Sequence, residues 1–202
     1  MLKLLLGTDN LGKQDELRAL LDSPDWELVV PQDLQLELDI EETGATYAEN
    51  ARLKAVAYAT QSGLWSLSDD SGLEVEVLNG APGLRSARLA GVGRSDADRR
   101  RVLLGMLADY PRPWVARFRS TVVLANPSGE VDLAEGKCAG EIIPEERGTG
   151  GFGYDAIFLV RGTGKTMAEL EMEEKNQLSH RARAVQAIRL ALELHLGIVS
   201  AS

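Results

Sequence analysis

Cysteine and long apolar runs are almost absent from this chain. Cys138 is the only cysteine among 202 residues, so neither an internal disulfide nor a cysteine-based zinc site can form. The N-terminal apolar stretch is too short for a signal peptide, and no segment approaches the ~20 apolar residues that cross a bilayer. The sequence therefore predicts a cytoplasmic protein with no membrane partner.

An excess of positive charge is also missing. The chain has 22 Lys and Arg against 31 Asp and Glu, a formal net charge of -9. A non-specific nucleic-acid binder needs a basic face, so nucleic acid is not an expected partner. A small anionic ligand held by a local cationic cluster is compatible with this balance. The length of 202 residues suits one two-lobed domain spanning residues 1–202.

Helical and strand-like patterns alternate along the chain. Buried-type strands are predicted at KLLLGT, WELVV and GLWSLSD, the last of them ending at two adjacent aspartates. Helices are predicted at KQDELRALL, TYAENARLKAVAYA, DADRRRVLLGMLADY and NQLSHRARAVQAIRLALELHL, and Thr46 with Glu49 forms a capping-box pattern. A pair of antiparallel strands with a turn around residues 126–129 precedes the last helix. The alternation predicts a mixed α/β fold and leaves room for an antiparallel lobe.

The first candidate site is GTDNLGKQ, between the first strand and the first helix. Unpaired N–H groups at a helix N-terminus attract phosphate, Lys13 adds a positive charge, and Thr8 and Asn10 can donate hydrogen bonds. The spacing also matches most of the P-loop pattern G-x-x-x-x-G-K-S/T, but Gln14 stands where the Mg²⁺-binding hydroxyl is required. A strand–helix turn with a surface lysine is the alternative to a phosphate site.

The second candidate is EETGATYAENARLKA, in which Asn50 and Lys54 are four residues apart and share one helix face. Glu41 and Glu42 precede this helix in a predicted loop. A carboxylate there can reach a metal ion or can simply be solvated, and an exposed Asn–Lys face is common. On its own, this stretch is compatible with either a site or an ordinary surface.

The third candidate is SDDSG, where Asp69 and Asp70 are adjacent and Ser71 follows. Mg²⁺ takes oxygen ligands, usually one or two carboxylates with water and substrate phosphates completing its shell. Neighbouring side chains on an extended chain point in opposite directions, so only one aspartate faces a given site. An Asx-type turn at the end of a strand is the alternative that the same residues allow.

Two C-terminal stretches carry groups suited to a nucleotide base. GTGGFGYDAIF surrounds Phe152 and Tyr154 with glycines, which permit a close backbone approach, and an exposed aromatic ring can stack on a purine for ~1–3 kcal/mol. EEKNQLSHRARA contains Lys175, His180 and Arg181, whose donors suit keto oxygens or phosphates. A flexible loop and a basic helix face are the alternatives for these two stretches.

Together and in this order, the five stretches resemble the inosine triphosphate pyrophosphatase (Ham1-like) family. The resemblance runs from Lys3 to beyond Arg183, which is nearly the whole chain. It implies an elongated, twisted mixed α/β sheet with flanking helices and two lobes around a central cleft. It also implies Mg²⁺-dependent hydrolysis of ITP, dITP and XTP to the monophosphate and pyrophosphate, by an enzyme that usually forms a homodimer.

The resemblance assigns phosphate contacts to the first two stretches. The loop that holds the triphosphate matches Thr8, Asp9, Asn10, Leu11, Gly12 and Lys13. Asp9 replaces a common glycine, and we expect its charge to point away from the phosphates. Lys54 matches a helix lysine that also faces phosphate. Glu42 matches a metal-associated carboxylate, although Glu41 beside it leaves the register open by one residue.

The same resemblance assigns the reaction to the third stretch and base recognition to the last two. Asp70 matches the catalytic carboxylate that binds the metal and accepts a proton, with Asp69 as its supporting neighbour and Ser71 as a substrate contact. The base-recognition set matches Phe152, Gly153, Tyr154, Asp155, Lys175, His180 and Arg181. Donors from His180 or Arg181 would suit the 6-keto oxygen of inosine and xanthine and would disfavour the amino group of adenine.

Three other functions stay open at this point. A P-loop kinase or ATPase would fit the first stretch apart from Gln14. A nucleotide-binding regulator without turnover would keep the same contacts but release no phosphate. A pyrophosphatase of related fold that acts on modified pyrimidine or methylated nucleotides would share the reaction but not the base preference.

Overall fold

Six strands of one sheet and five α-helices form the framework of this computed structural model, which describes residues 2–198. The strands are β1 (Leu2–Leu6), β2 (Trp26–Val29), β3 (Trp65–Val75), β4 (Trp114–Ala125), β5 (Val131–Ile142) and β6 (Phe158–Val160). The helices are α1 (Leu11–Leu21), α2 (Tyr47–Ser62), α3 (Asp96–Leu107), α4 (Met172–Leu178) and α5 (His180–His195). None of the helices within the described residues is long and apolar enough to span a membrane.

The sheet is mixed. Its strand order is β2-β1-β3-β4-β5-β6, with β1 parallel to both β2 and β3, and with β5 antiparallel to β6. The parallel pairs are joined through helices α1 and α2, as parallel connections require. The predicted mixed α/β sheet with flanking helices is thus confirmed.

The chain divides into two compact units, of which the first contains residues 2–70, 120–136 and 181–198 of the described chain. Both faces of the sheet are covered in this unit. Val122 and Leu124 of β4 pack into a cluster with residues of α1 and α5, whereas Val123 and Ala125 pack against the alanines of α2. Alternate residues of β4 pack on opposite faces because successive side chains of a strand point in opposite directions.

The second unit contains residues 71–119 and 137–180 and has its own core. Leu73 of β3 packs with Leu103 and Leu107 of α3, and all three side chains are fully buried. The rings of Phe118 and Phe158 join the same core with their centroids 4.5 Å apart. An aromatic pair of this kind adds ~0.5–1.5 kcal/mol beyond the area that it buries.

Local sequence signals account for where several elements begin and turn. Asn10 caps α1, and Thr46 caps α2 by accepting a hydrogen bond from Glu49 N–H at 3.1 Å, which confirms one half of the predicted capping box. Such a cap is worth about 1 kcal/mol. The Glu49 side chain accepts from Ala45 N–H at 2.6 Å instead of from Thr46 N–H. The predicted turn between β4 and β5 is also present, with Gly129 N–H donating to Asn126 O at 3.0 Å.

Two elements differ from the prediction. Strand β3 does not end at the aspartates but continues to Val75, so Asp69, Asp70 and Ser71 lie inside a strand. The alternative of an Asx-type turn there is wrong. The C-terminal helical segment is two helices rather than one, because Ser179 between α4 and α5 has extended backbone angles (φ -68°, ψ 156°).

Candidate active site

The loop between β1 and α1 leads into a helix N-terminus and is held in shape by two of its own side chains. Asn10 Oδ1 accepts a hydrogen bond from Lys13 N–H at 3.0 Å, and Thr8 Oγ1 accepts one from Asn10 N–H at 3.3 Å. The first turn of α1 contains no acidic residue, so no side chain there offsets the positive end of the helix dipole. Leu11 is exposed and Gly12 is partly buried. The loop is therefore suited to bind phosphate.

Gln14 stands at the hydroxyl position of a P-loop and stabilises the loop instead. Its side chain is buried, and Nε2 donates to Thr8 O at 2.7 Å and to Gln32 Oε1 at 3.2 Å. A P-loop requires a hydroxyl at this position to bind Mg²⁺. The structure thus gives no support to the P-loop kinase or ATPase alternative.

The carboxylate of Asp9 is bound by donors from outside the loop. Tyr58 on α2 donates its hydroxyl to Asp9 Oδ2 at 2.9 Å, and Gln32 Nε2 donates to Asp9 Oδ1 at 3.3 Å. Burial and the neighbouring Asp9 charge both raise the pKa of Tyr58, which therefore stays a donor. Both oxygens of the carboxylate are thereby held toward Tyr58 and Gln32.

Asp69 is the centre of a buried ion-pair network. Arg181 donates to Asp69 Oδ2 from Nε at 3.1 Å and from Nη2 at 2.9 Å, and its Nη1 contacts Glu16. Lys13 Nζ lies 3.1 Å from Asp69 Oδ1. Burial alone would raise the pKa of Asp69, but the charges of Arg181 and Lys13 outweigh burial and hold it well below its usual range. The carboxylate of Asp69 therefore holds the side chain of Lys13 in place.

Arg181 belongs to the predicted base-recognition set and lies in the network around Asp69. Its side chain is 1% exposed, and its guanidinium is ion-paired with Asp69 and Glu16. Burial opposes the charge of Arg181, but the two carboxylates outweigh burial and raise its pKa. In this structure Arg181 therefore orients Asp69, while its assignment to base recognition stays a prediction.

Asp70, the neighbour of Asp69, belongs to a second group of charges around Lys54. Lys54 Nζ lies 3.6 Å from Asp70 Oδ1 and donates to Glu42 Oε1 at 2.7 Å. Asn50 Nδ2 donates to Asp70 Oδ2 at 3.3 Å. Burial raises the pKa of Asp70 despite the attraction of Lys54. The two aspartates contact different helices, as expected for adjacent residues of a strand.

The loop before α2 brings Glu42 rather than Glu41 to this group. Glu41 is exposed, whereas Glu42 is partly buried against Lys54. Asn50 Oδ1 accepts a hydrogen bond from Gly44 N–H at 2.8 Å, which ties the loop to α2. A Cβ on Gly44 would lie 2.6 Å from Asn50 Oδ1, so this close approach requires glycine. The amide of Asn50 thus contacts both the Glu42 loop and Asp70.

Three predicted base contacts come together in the second unit. Asp155 Oδ2 accepts a hydrogen bond from Lys175 Nζ at 2.8 Å and another from Phe152 N–H at 3.1 Å. Lys175 Nζ also lies 5.8 Å from the centre of the Phe152 ring. Gly151 has a φ of +70°, and a Cβ there would lie 2.0 Å from Asp155 Oδ2, so the loop requires glycine at this position. Phe152 is the partly exposed ring of this group.

Tyr154 and His180 are buried, so neither ring is exposed for a base to stack on. Tyr154 is 4% exposed, and its hydroxyl donates to Ser86 O at 2.8 Å, so its ring is part of the core rather than a face for a base. The expectation of a second exposed aromatic in this loop is wrong. His180 is buried, and its ring stacks on Phe118 with centroids 4.7 Å apart and an interplanar angle of 14°. Ser71 is partly buried, directly after the aspartates.

Sequence reasoning missed the residues that hold the predicted site in place. Glu16 and Tyr58 make long-range contacts that no local motif indicates. One signal was available on α2, where Asn50, Lys54 and Tyr58 follow one another at four-residue spacing and so share a helix face. All three contact residues of the candidate site.

Comparison with known proteins places the chain in a described family. The model of the Ham1 family matches residues 4–191. A dITP/XTP pyrophosphatase of Gloeobacter violaceus is 48% identical over 185 residues, covering 92% of this chain and 91% of the relative. Another, from Mannheimia succiniciproducens, is 47% identical over 195 residues, covering 94% of this chain and 98% of the relative.

Solved structures give the same result. A HAM1 protein of Coxiella burnetii superposes with a TM-score of 0.85 at 39% identity, covering 95% of this chain and 98% of the other. The nucleoside-triphosphatase / dITP/XTP pyrophosphatase of Mycobacterium abscessus superposes with a TM-score of 0.73 at 41% identity, covering 93% and 98%. Identity at this level over nearly the full length of each chain shows common family membership. The chain therefore belongs to the Ham1 family.

Proposed function

We propose that this protein hydrolyses the non-standard purine nucleoside triphosphates dITP, XTP and ITP to the monophosphate and pyrophosphate. The names of its relatives support the reaction class. The observation in this chain that carries the proposal is the convergence of Asp70 and Glu42 on the ammonium of Lys54. Two carboxylates and a lysine in contact are suited to a nucleotide triphosphate that arrives with a divalent cation.

The triphosphate is held by the loop between β1 and α1. Backbone N–H groups at the start of α1 would donate to the phosphates, and the residues proposed to contact them are Thr8, Asp9, Asn10, Leu11, Gly12 and Lys13. Lys13 is fixed by Asp69, so its charge is already in place before the substrate binds. Lys54 supplies the second positive charge from α2. Preorganised charges of this kind stabilise a phosphoryl-transfer transition state because they do not reorganise during the reaction.

Mg²⁺ is the proposed cofactor, with Asp70 and Glu42 as its protein ligands. Both carboxylates lie against the same cationic group, so they are already arranged around a positive charge. Within residues 2–198, no group of three or more His, Cys, Asp or Glu is arranged to hold a metal ion. Mg²⁺ does not require one, because water and substrate phosphates complete its shell. When bound, the ion would neutralise phosphate charge.

Asp70 is the proposed catalytic residue. A water oxygen attacks the α-phosphorus, the bond between the α-phosphorus and the bridging oxygen breaks, and pyrophosphate leaves. Asp70 accepts the proton of the attacking water. Asn50 holds Asp70 Oδ2 and Lys54 lies beside Oδ1, so the carboxylate is oriented on both sides. Ser71, the next residue of β3, is proposed as a substrate contact.

Base recognition is proposed for the second unit. Phe152 supplies a partly exposed ring on which a purine can stack, with Gly153 and Tyr154 supporting the backbone of its loop. Asp155 and Lys175 offer a fixed acceptor and donor, and His180 offers a ring nitrogen. A donor to the 6-keto oxygen of inosine or xanthine would face another donor in adenine, and a site with unpaired polar groups rejects such an analogue strongly. Arg181 is also proposed as a member of this set, and its guanidinium is ion-paired with Asp69 and Glu16.

We also propose that residues 1–202 form one two-lobed domain that acts as a cytoplasmic homodimer without nucleic acid. Both compact units are assembled from separated chain segments, so neither is a contiguous piece that could be excised. Cys138 is buried and is the only cysteine of the sequence, so the chain has no internal disulfide, which suits a reducing compartment. Light scattering coupled to gel filtration tests the dimer, because it should return twice the mass of the chain.

Product analysis tests the proposed reaction. Pyrophosphate release is measured with dITP, XTP, ITP, dGTP and ATP in the presence of Mg²⁺, for the wild type and for Asp70→Asn. We expect release from the first three substrates and a loss of about 10²–10⁴-fold in kcat for Asp70→Asn. Glu42→Gln should raise the half-saturating Mg²⁺ concentration, whereas the matched control Glu41→Gln should not. Orthophosphate as the product, or equal use of ATP, would contradict the proposal.

A further inference from the structure

Two side chains of helix α3 bind the backbone N–H and C=O of Gly153, in the proposed base-recognition loop. Asp96 and Arg100 are four residues apart on α3 and therefore share a face. Asp96 Oδ2 accepts a hydrogen bond from Gly153 N–H at 2.7 Å, and Arg100 Nη1 donates to Gly153 O at 2.8 Å. The N–H and C=O of Gly153 lie on either side of its Cα, so the two hydrogen bonds together restrain its φ and ψ.

Arg100 is itself held in place, which makes the contact specific. Its Nε and Nη2 form a two-point ion pair with Glu146 Oε1 and Oε2 at 2.8 and 2.9 Å. A guanidinium bound at two points keeps a fixed plane, and its remaining nitrogen then points in one direction. That direction is toward Gly153 O. Gly153 needs such support because its φ of +63° lies in the region where glycine is mobile and other residues are strained.

Gly153 lies between Tyr154, whose side chain is buried, and Phe152, whose side chain is partly exposed. Tyr154 is fixed by burial and by its hydrogen bond to Ser86 O. Phe152, on the other side of Gly153, is partly exposed and is tied by its own N–H to Asp155. The dihedrals of Gly153 therefore set the direction of the Phe152 ring relative to the anchored part of the loop.

We propose that Asp96 and Arg100 are positioning residues that set base selectivity by fixing the backbone of Gly153. The inference rests on the proposed function of the loop, in which Phe152 contacts the purine. Neither α3 residue touches the base. Without these two contacts Gly153 would be mobile, and the Phe152 ring would take several orientations. Stacking on every base would then be weaker, which raises KM, and discrimination between bases would be lower.

Arg100→Ala and the matched control Arg101→Ala test the inference. Arg101 lies on the same helix and forms one exposed ion pair, with Asp98, so its removal reproduces the loss of a surface arginine without the Gly153 contact. For Arg100→Ala we expect a KM for dITP about tenfold higher with kcat within about twofold of the wild type. The ratio of kcat/KM for dITP to that for dGTP should fall, and Arg101→Ala should match the wild type in each quantity.

Hydrogen exchange of the peptide that covers residues 148–155 gives a readout independent of turnover. Exchange should be faster in Arg100→Ala and in Asp96→Ala, which removes the acceptor of Gly153 N–H, and unchanged in Arg101→Ala. Arg100→Lys, which keeps the stem and one charge, provides a gentler variant should Arg100→Ala not fold. Wild-type exchange together with an unchanged dITP/dGTP ratio in the Arg100 variants would overturn the inference. A wild-type protein that releases no pyrophosphate would contradict the proposed function instead.

Discussion

Removing the hydroxyl of Tyr58 should weaken nucleotide binding although Tyr58 contacts no phosphate in the proposed site. Tyr58→Phe keeps the ring that packs beside Gly7 but deletes the donor that holds Asp9 Oδ2 at 2.9 Å. Gln32 would remain as a single, longer contact to the carboxylate, at 3.3 Å. The freed carboxylate lies in the loop proposed to hold the triphosphate and can then turn toward it.

The expected size follows from charge repulsion. A unit charge ~8 Å from a phosphate charge costs ~2 kcal/mol at an effective dielectric constant of 20. Partial rotation of Asp9 into solvent lowers this cost, so we expect a loss of about 1.4 kcal/mol in binding, or about a tenfold rise in KM for dITP. Because kcat depends on groups around Asp70, it should stay within about twofold. The effect should shrink as salt is added, since salt screens an exposed charge.

A double mutant separates this explanation from simple damage to the fold. In Asp9→Asn/Tyr58→Phe the loop no longer carries the negative charge, so KM should return to within about threefold of the wild-type value. Tyr110→Phe removes a hydroxyl from a half-exposed tyrosine elsewhere and serves as the matched control. Steady-state pyrophosphate release at low and high salt measures all four proteins. An unchanged KM in Tyr58→Phe, or an equal rise in the double mutant, would refute the reasoning.

Two more predictions concern the charged groups of the first unit. Asn50→Ala removes the amide that orients Asp70, so the half-saturating Mg²⁺ concentration should rise about tenfold, measured by Mg²⁺ titration of activity and by Mn²⁺ binding. Arg181→Met leaves Asp69 buried without its main partner, so the free energy of unfolding should fall by about 3–5 kcal/mol, measured by urea denaturation. A wild-type metal response in the first variant, or wild-type stability in the second, would count against these roles.

The sequence predicts local structure well where the signal is local. The cap at Thr46, the glycine-containing turn at residues 126–129 and the helices between the strands depend on neighbouring residues, and the structure has each of them. The extent of β3 is a different case. Adjacent aspartates disfavour a strand on propensity alone, yet the strand continues through them. Arg181, 112 residues along the chain, supplies the compensating charge for Asp69. A partner so distant in sequence cannot be predicted from the residues that neighbour Asp69.

The glycine-rich loop shows the same limit in its side chains. Its glycines correctly indicate a backbone that other residues cannot adopt, since Gly151 has a φ of +70° and a Cβ there would lie 2.0 Å from Asp155 Oδ2. They do not indicate which ring faces solvent. A buried tyrosine hydroxyl needs a hydrogen-bond partner. Tyr154 can be buried because its hydroxyl donates to the backbone oxygen of Ser86 inside the core. The position of Ser86, fixed by a short helical segment far away in sequence, decides the outcome.

One face of helix α2 explains how separate parts of the candidate site keep their relative positions within the first unit. Asn50, Lys54 and Tyr58 lie at intervals of four residues, and in turn they contact Asp70 of β3, the Glu42 loop and the loop after β1. A helix is stiff over two turns, so these contacts fix three chain segments against a single rigid element. Shifting α2 by one residue would turn this face by about 100° and break all three contacts together. Ala51, Ala55 and Ala59 lie about 100° around the helix from this face and pack against β4, which holds the helix in register. The packing of the core and the geometry of the site therefore depend on the same helix.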